Sequence, residues 1–300
     1  MNKRPMKPSR TLSLTAVAAA ILLTGCSLIP TYERPAAPVA SQFQGAEASP
    51  SATATPAAET SWQSFFKDAR LKRLIALSLD NNRDLRVAVL TIEQARAQLQ
   101  VRQADQLPTV NAGITGTRGP ATTGAITSSY TTGLSVTAYE LDFFGRVRAL
   151  SQAAQAQLLG TEEARKTVQI SLIAAVANTN LSLLADDALL RVTRDTLASR
   201  QESLALMQLK FDNEAASRLD LSTAQSQLEA ARAAHAQATR QRALDENALV
   251  LLVGHSLPAD LPDGLPLTEQ GLLADLPAGV PSDLLTRRPD IRQAEQVLLA

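Results

Sequence analysis

Residue types that build catalytic and metal sites are scarce in this 300-residue chain, which has one cysteine and two histidines, His235 and His255. A single cysteine excludes a disulfide framework and any site with several thiolates. Aromatic residues make up only 3% of the sequence, few for a ligand pocket. Lys plus Arg number 29 and Asp plus Glu number 29, so the chain has no excess positive charge with which to attract nucleic acid. No phosphate loop or nucleophile–base pair is recognisable, so we predict no catalytic residue, metal ligand or nucleic-acid partner.

Proline is also absent from residues 121–257, although the chain contains 15 prolines elsewhere. Because proline breaks helices, this stretch predicts two long ones, at about 142–211 and about 217–253. The first would be about 105 Å long at 1.5 Å per residue. A seven-residue repeat of large apolar side chains marks a coiled-coil seam on it: Leu183, Leu190, Leu197, Leu204 and Phe211. Long helices packed side by side are therefore expected.

The N-terminus has the organisation of a bacterial secretory signal. Four basic residues precede an apolar run at 12–23, and no acidic residue occurs before Glu33. The run ends in Leu-Thr-Gly-Cys26, which resembles a lipobox. We therefore predict a signal peptide at 1–25 and a lipid-modified Cys26 that carries S-diacylglycerol and an N-acyl chain. The alternatives are an uncleaved membrane anchor, for which the run is short, and a buried structural cysteine.

Residues 26–61 follow as a predicted lipid anchor and extended tether, because prolines alternate there with Ala, Ser and Thr. Trp62 begins the predicted folded part. Helical spacing of apolar residues predicts helices at about 62–79 and about 84–105.

Two segments of alternating polarity, at about 109–118 and about 128–139, predict strands with one apolar face. This alternation is typical of transmembrane barrel strands, and a soluble hairpin packed on the helices is the alternative. An aromatic cluster at the end of the second strand predicts a membrane interface: Tyr139, Phe143 and Phe144. Two strands cannot close a barrel, so further strands must come from elsewhere. Asp142 is predicted to start the long helix and to cap its free N–H groups.

A weak internal repeat links residues 82–88 to residues 288–294 at an offset of 206. Asp84 aligns with Asp290 and Arg86 with Arg292. On this basis 62–286 is a first structural repeat, and 287–300 begins a second. The chain is then expected to be the N-terminal part of a longer protein.

These blocks together resemble the outer-membrane factor family of tripartite efflux pumps, the TolC/OprM-like channels. The likeness is greatest to lipidated members that serve resistance-nodulation-division pumps. The segments that carry the resemblance are 23–32, 34–39, 62–68, 81–87, 139–148, 247–254 and 281–291. Ser27, which is not Asp, favours the outer membrane by resemblance to enteric sorting rules.

The resemblance implies a mainly α protein with a transmembrane β part. Each full subunit of a homotrimer would give four strands to a shared 12-stranded β-barrel and long helices to a trimeric α-barrel in the periplasm. Such a protein is a passive exit duct for drugs and other small toxic compounds, not an enzyme, and needs no cofactor besides the lipid. Its partners would be a periplasmic adaptor, an inner-membrane pump and outer-membrane lipid.

The turn between the long helices is the implied adaptor-contacting tip, comprising Asn213, Glu214, Ala216, Ser217 and Asp220. Relatives usually carry Val-Gly where this chain has Asn213 and Glu214. Asn tolerates a left-handed backbone better than Glu does. Ser217 is a predicted helix cap.

Two other classes of envelope protein remain as alternatives. A periplasmic adaptor lipoprotein also has a coiled-coil hairpin, but it should show a lipoyl-like β domain that this sequence lacks. A structural coiled-coil envelope lipoprotein would leave the strand pair between long helices unexplained.

Overall fold

The computed structural model describes residues 29–36, 38–39, 60–137, 139–271 and 285–300. The signal peptide at 1–25 and Cys26 lie outside these residues. The described part is mainly α with one β-hairpin. In chain order its elements are α1 (Trp62–Phe65), α2 (Ala69–Asn81), α3 (Arg83–Ala104), β1 (Thr109–Pro120), β2 (Ile126–Thr137), α4 (Arg146–Asp212), α5 (Arg218–Val253), a 3-10 turn (Leu267–Glu269) and α6 (Pro289–Leu299).

The chain divides into two compact units. The first contains the β-hairpin, and its described residues fall within 1–37, 91–162 and 292–300. The described residues of the second fall within 38–90 and 163–291 and hold the hydrophobic core cluster. That cluster joins α2, α4 and α5, and its most deeply buried side chains are Leu74, Ile75, Val176, Leu249 and Val253.

The predicted helix at about 62–79 is interrupted at residues 66–68, which separate α1 from α2. Asp68 begins the helix after this break, because its Oδ1 accepts the backbone N–H of Arg70 at 2.8 Å and caps α2. Its Oδ2 accepts N–H groups from Leu265 and from the Gln270 side chain, both at 3.3 Å. Only 1% of Asp68 is exposed. This buried carboxylate therefore fixes the loop after α5 against the start of α2.

The boundary between α2 and α3 is held by Asn82. Its Oδ1 accepts the N–H of Leu85 at 3.0 Å, and its Nδ2 donates to the Leu252 carbonyl at 3.0 Å. Gly254 ends α5 in a left-handed conformation with φ of 85°, where a Cβ would lie 2.6 Å from the Asn81 carbonyl oxygen. Glycine is required there by both backbone angle and space.

Helices α4 and α5 form an antiparallel hairpin in the second unit. Three polar pairs connect them in reverse order: Asp187 with Arg242 at 2.6 Å, Thr193 with His235 at 3.3 Å, and Arg200 with Gln227 at 2.9 Å. Beside these pairs, the α4 heptad residues are buried or half-buried, and α5 buries Leu221, Leu228, Ala231 and Ala238. His235 is thus a packed, hydrogen-bonded side chain of the seam.

The extended tether predicted for 26–61 contacts the folded chain near its N-terminal end. Residues 29–36 form neither helix nor strand, but Tyr32 and Arg34 bind Glu295 on α6. Composition indicates an extended backbone and carries no information about this partner.

Candidate membrane strands and docking tip

Strands β1 and β2 pair antiparallel over their whole length, from Thr109 opposite Thr137 to Pro120 opposite Ile126. The strands extend closer to the turn than the predicted 109–118 and 128–139, so the connecting loop is only 121–125. Ala121 accepts and donates across this loop, since its N–H binds the Ala125 carbonyl and its carbonyl binds the Gly124 N–H. Tyr139 lies after β2.

The two faces of this hairpin differ sharply in polarity. One face carries large apolar side chains that are at least 60% exposed: Val110, Ile114, Ile126, Tyr130, Leu134 and Val136. The opposite face carries Thr, Ser, Asn and Gly only, and on it Asn111 donates to the Thr137 hydroxyl at 2.8 Å. An exposed apolar face backed by a polar face is typical of a barrel strand between lipid and water.

Gly116 makes room for Tyr130 on the apolar face. The two residues are cross-strand partners, and a Cβ at Gly116 would lie 2.9 Å from Cε1 of the tyrosine ring. This pair is not among the features predicted from the sequence. A glycine directly opposite an aromatic residue is the signal that could have found it, once the strand register is known.

The three aromatic residues predicted at a membrane interface are solvent-exposed in the chain. Tyr139 is 46%, Phe143 70% and Phe144 68% exposed, between the end of β2 and the start of α4. Beside them Glu140 forms an ion pair with Arg146, whose Nε donates to Glu140 Oε1 at 2.8 Å. Apolar rings next to a charged pair suit the boundary between lipid and water.

Asp142 does not lie in the long helix, which begins at Arg146 rather than at about 142. Its Oδ2 accepts the N–H of Arg148 at 2.9 Å. This hydrogen bond, with others from the first-turn backbone, holds the pKa of Asp142 below its usual range. Gly145, the residue directly before α4, has a φ of 81°, and this left-handed conformation turns the chain into the helix. Asp142 therefore caps α4 from outside it.

The tip turn begins where α4 ends at Asp212. The Asn213 side chain donates to the Leu209 carbonyl at 2.8 Å, and the Ala215 N–H binds the Lys210 carbonyl at 2.8 Å. These bonds satisfy carbonyl groups that the helix end would leave free.

Ser217 and Asp220 form a capping box at the start of α5. Ser217 Oγ accepts the Asp220 N–H at 3.1 Å, and Asp220 Oδ2 accepts the Ser217 N–H at 3.1 Å and its hydroxyl at 2.6 Å. The Ser217 side chain, and then its backbone, hold the pKa of Asp220 below the ordinary value. Ala216, just before the cap, is half-buried, whereas Asn213, Glu214 and Ser217 are exposed.

Glu214 is the left-handed residue of the turn, with φ of 57°. In the described part of the chain it is the one non-glycine residue with a positive φ. A left-handed backbone suits glycine, so Glu214 carries backbone strain while its carboxylate lies at the tip.

Replacing Glu214 with Gly should stabilise the α4–α5 hairpin by about 1 kcal/mol, because glycine adopts this φ without steric cost. Thermal or denaturant unfolding of the full-length protein measures the gain. Glu214→Ala is the matched control, since it removes the charge but retains the Cβ. An equal gain in both variants would show that charge, and not backbone strain, limits stability.

Metal ligands do not cluster in the described ranges, where no group of three or more His, Cys, Asp or Glu side chains could hold an ion. One described helix, α4, contains a stretch long and apolar enough to cross a membrane, judged by length and composition alone.

Residues 74–255 match the family model described as "Outer membrane efflux protein". Among curated proteins, the chain is 46% identical over 296 residues to the toluene efflux pump outer membrane protein TtgC of Pseudomonas putida, and 44% identical over 296 residues to the outer membrane protein OprJ of Pseudomonas aeruginosa. Each alignment covers 96% of this chain and 61% of the relative. The chain therefore spans about three fifths of the length of these relatives.

Solved structures give the same result. The open-state MtrE outer membrane channel of Neisseria gonorrhoeae matches with a TM-score of 0.77 and 35% identity, over 91% of this chain and 61% of that one. The fold is thus that of the outer-membrane efflux channels, with long helices and a membrane β part. The chain belongs to the outer membrane efflux protein family.

Proposed function

We propose that this chain is part of an outer-membrane channel subunit, a passive exit duct for drugs and other small toxic compounds. The observation that carries the proposal is the β1–β2 hairpin, which exposes six large apolar side chains on one face while its other face is polar. The apolar face also carries Thr132 and, near the turn, Arg118 and Ser128. Exposing this apolar face to water would cost free energy, whereas contact with lipid is favourable.

The channel is a homotrimer in this proposal. Two strands leave unpaired edges, which lipid does not tolerate. Helices α3 and α6 begin at Arg83 and Pro289, which differ by the same 206 positions as the sequence repeat. This spacing supports a second repeat with a second strand pair. Four strands from each of three subunits then make a 12-stranded barrel in the outer membrane, above a periplasmic α-barrel built from α4 and α5.

The tip comprising Asn213, Glu214, Ala216, Ser217 and Asp220 contacts a periplasmic adaptor, which connects the channel to an inner-membrane pump. The hydrogen-bonded caps on both sides of the turn support this role, because they define the shape of the surface between the two helices. No catalytic step is proposed for this protein.

The test is drug export by the full-length protein in a host that lacks its own channel but supplies adaptor and pump. Drug resistance should return, and the purified protein should form stable steps of conductance in planar bilayers. Drug resistance without conductance would contradict the proposal that the protein is a passive exit duct. Conductance without a trimer on a mild gel would contradict the proposed homotrimer.

Cys26 is the proposed site of lipid attachment, based on the Leu-Thr-Gly-Cys segment. Labelled palmitate should enter the wild-type protein, and Cys26→Ser should lose essentially all of the label. Thr24→Ser, which changes a neighbouring lipobox position conservatively, is the control that should stay labelled. Equal labelling of wild type and Cys26→Ser would refute the assignment.

A further inference from the structure

A carboxylate on α6 holds the N-terminal segment 29–36, here named the strap. Tyr32 donates its phenol O–H to Glu295 Oε1 at 3.0 Å. Arg34 donates its Nε to the same oxygen at 2.7 Å, and its Nη2 forms an ion pair with Oε2. The arginine thus binds both oxygens of one carboxylate, the two-pronged geometry that fixes orientation as well as distance.

The charges around Glu295 and its partial burial make this contact stronger than an ordinary ion pair on the protein surface. The Glu295 side chain is only 15% exposed, although the Arg34 side chain is 52% exposed. Hydrogen bonds from Arg34 and then Tyr32 hold the pKa of Glu295 below its usual range. Isolated exposed ion pairs contribute little, but here three donor groups converge on one half-sheltered carboxylate.

The strap has no helix or strand of its own, so its position depends on side-chain contacts such as these. The strap and Glu295 both lie in the first compact unit, which also contains the β-hairpin. The contact therefore attaches the N-terminal segment to the same unit that carries the proposed membrane strands.

We propose that Tyr32, Arg34 and Glu295 form a clamp that attaches the lipid-anchored tether to α6. The clamp shortens the free chain between the acylated Cys26 and the folded protein, and this shortened connection is here named the leash. This inference rests on the proposed acylation of Cys26. Six residues lead from Cys26 to Tyr32, and at 3.3–3.6 Å each they reach at most about 21 Å. With the clamp open, the first described helix begins at Trp62, and the 36 steps from Cys26 to Trp62 would reach about 120 Å.

A short leash has a consequence for assembly. It confines the first unit of each acylated subunit to a thin layer beside the membrane, which raises the effective concentration of subunits for one another. The clamp should therefore speed trimer formation only when the lipid is attached.

The clamp itself is tested by hydrogen exchange of the amides in 29–34 of the purified full-length protein. Glu295→Gln should raise their exchange rates by about tenfold, because a charged acceptor is replaced by a neutral one. Glu93→Gln, an equivalent change at an exposed position on α3, is the matched control and should change nothing. The exchanged pair Arg34→Glu with Glu295→Arg should restore much of the protection. Unchanged exchange in Glu295→Gln would overturn the clamp.

The leash is tested separately, by the rate at which newly made subunits become trimers. Glu295→Gln should slow trimer formation several-fold in the acylated protein and have no such effect in a Cys26→Ser background. An equal slowing in both backgrounds would overturn the leash and leave a purely structural contact. Palmitate labelling and conductance of the same samples report acylation and channel formation independently, so a failure of the proposed function is distinguished from a failure of the leash.

Discussion

Replacing Leu249 with Asp should prevent the second compact unit from folding. Leu249 on α5 is 1% exposed and lies in the cluster that joins α2, α4 and α5. An ionised carboxylate there would lie one helical turn from Asp245, another acidic side chain, so it gains no compensating charge. An uncompensated buried charge costs several kcal/mol, against a total stability of about 5–15 kcal/mol for a typical domain.

We expect full-length Leu249→Asp to be recovered as aggregate or degraded chain, with no trimer and no drug resistance. Leu251→Asp is the matched control, because the same substitution two residues along α5 falls at a side chain that is 77% exposed. Immunoblots of membrane fractions and circular dichroism of purified protein measure the two outcomes. Normal levels and helicity of Leu249→Asp would contradict the assigned core.

The existence of the long helices could be predicted from the sequence because their signals are local and repeated. The absence of proline and the heptad of Leu183 and its successors both act within one helix. The polar pairs that set the register of α4 against α5, such as Asp187 with Arg242, could not be predicted in the same way. They depend on how far one helix slides along the other, which only the three-dimensional packing decides.

Helix starts were predicted less well than helix interiors, and carboxylates explain the errors. Apolar spacing continues from Trp62 through Leu71, yet α1 ends at Phe65 and Asp68 begins α2 with side-chain hydrogen bonds. Asp142 was assigned to the first residue of the long helix, but it binds the Arg148 N–H from four residues before the helix begins. Periodicity is insensitive to caps, because a cap is one hydrogen bond and not a repeated pattern.

The strap shows a different kind of limit. A proline-rich composition indicates an extended backbone between residues 26 and 61, and it says nothing about tertiary partners. Tyr32 and Glu295 are 263 positions apart in the chain. Their hydrogen bond follows from the folding of the first unit and from no local pattern.

At the tip, the sequence identified the departure from the family pattern but not which residue bears the strain. Asn213 continues the end of α4 and uses its side chain to cap the helix, so Glu214 takes the left-handed position. The carboxylate of Glu214 is therefore presented at the turn by backbone geometry.

Ser217→Pro should abolish drug export by the full-length protein while leaving its trimer and membrane location unchanged. Proline removes both the Ser217 hydroxyl and its N–H, which together make all three contacts with Asp220. It also forces Ala216 toward an extended backbone, which moves the turn away from the shape set by the caps. The loss of a cap costs only about 1 kcal/mol, too little to dissociate long packed helices.

Ser217→Thr is the control for this variant, because it keeps a hydroxyl that can accept the Asp220 N–H and it keeps the backbone N–H. We expect it to export drugs at nearly the wild-type level. Resistance assays with the cognate adaptor and pump measure export, and mild gels of outer-membrane fractions measure the trimer. Cross-linking between tip and adaptor should fall at least tenfold in Ser217→Pro, because a loss of about 1.4 kcal/mol in docking already lowers affinity by that factor. Undiminished export with a trimer intact would mean that the adaptor docks on another surface of the α4–α5 hairpin.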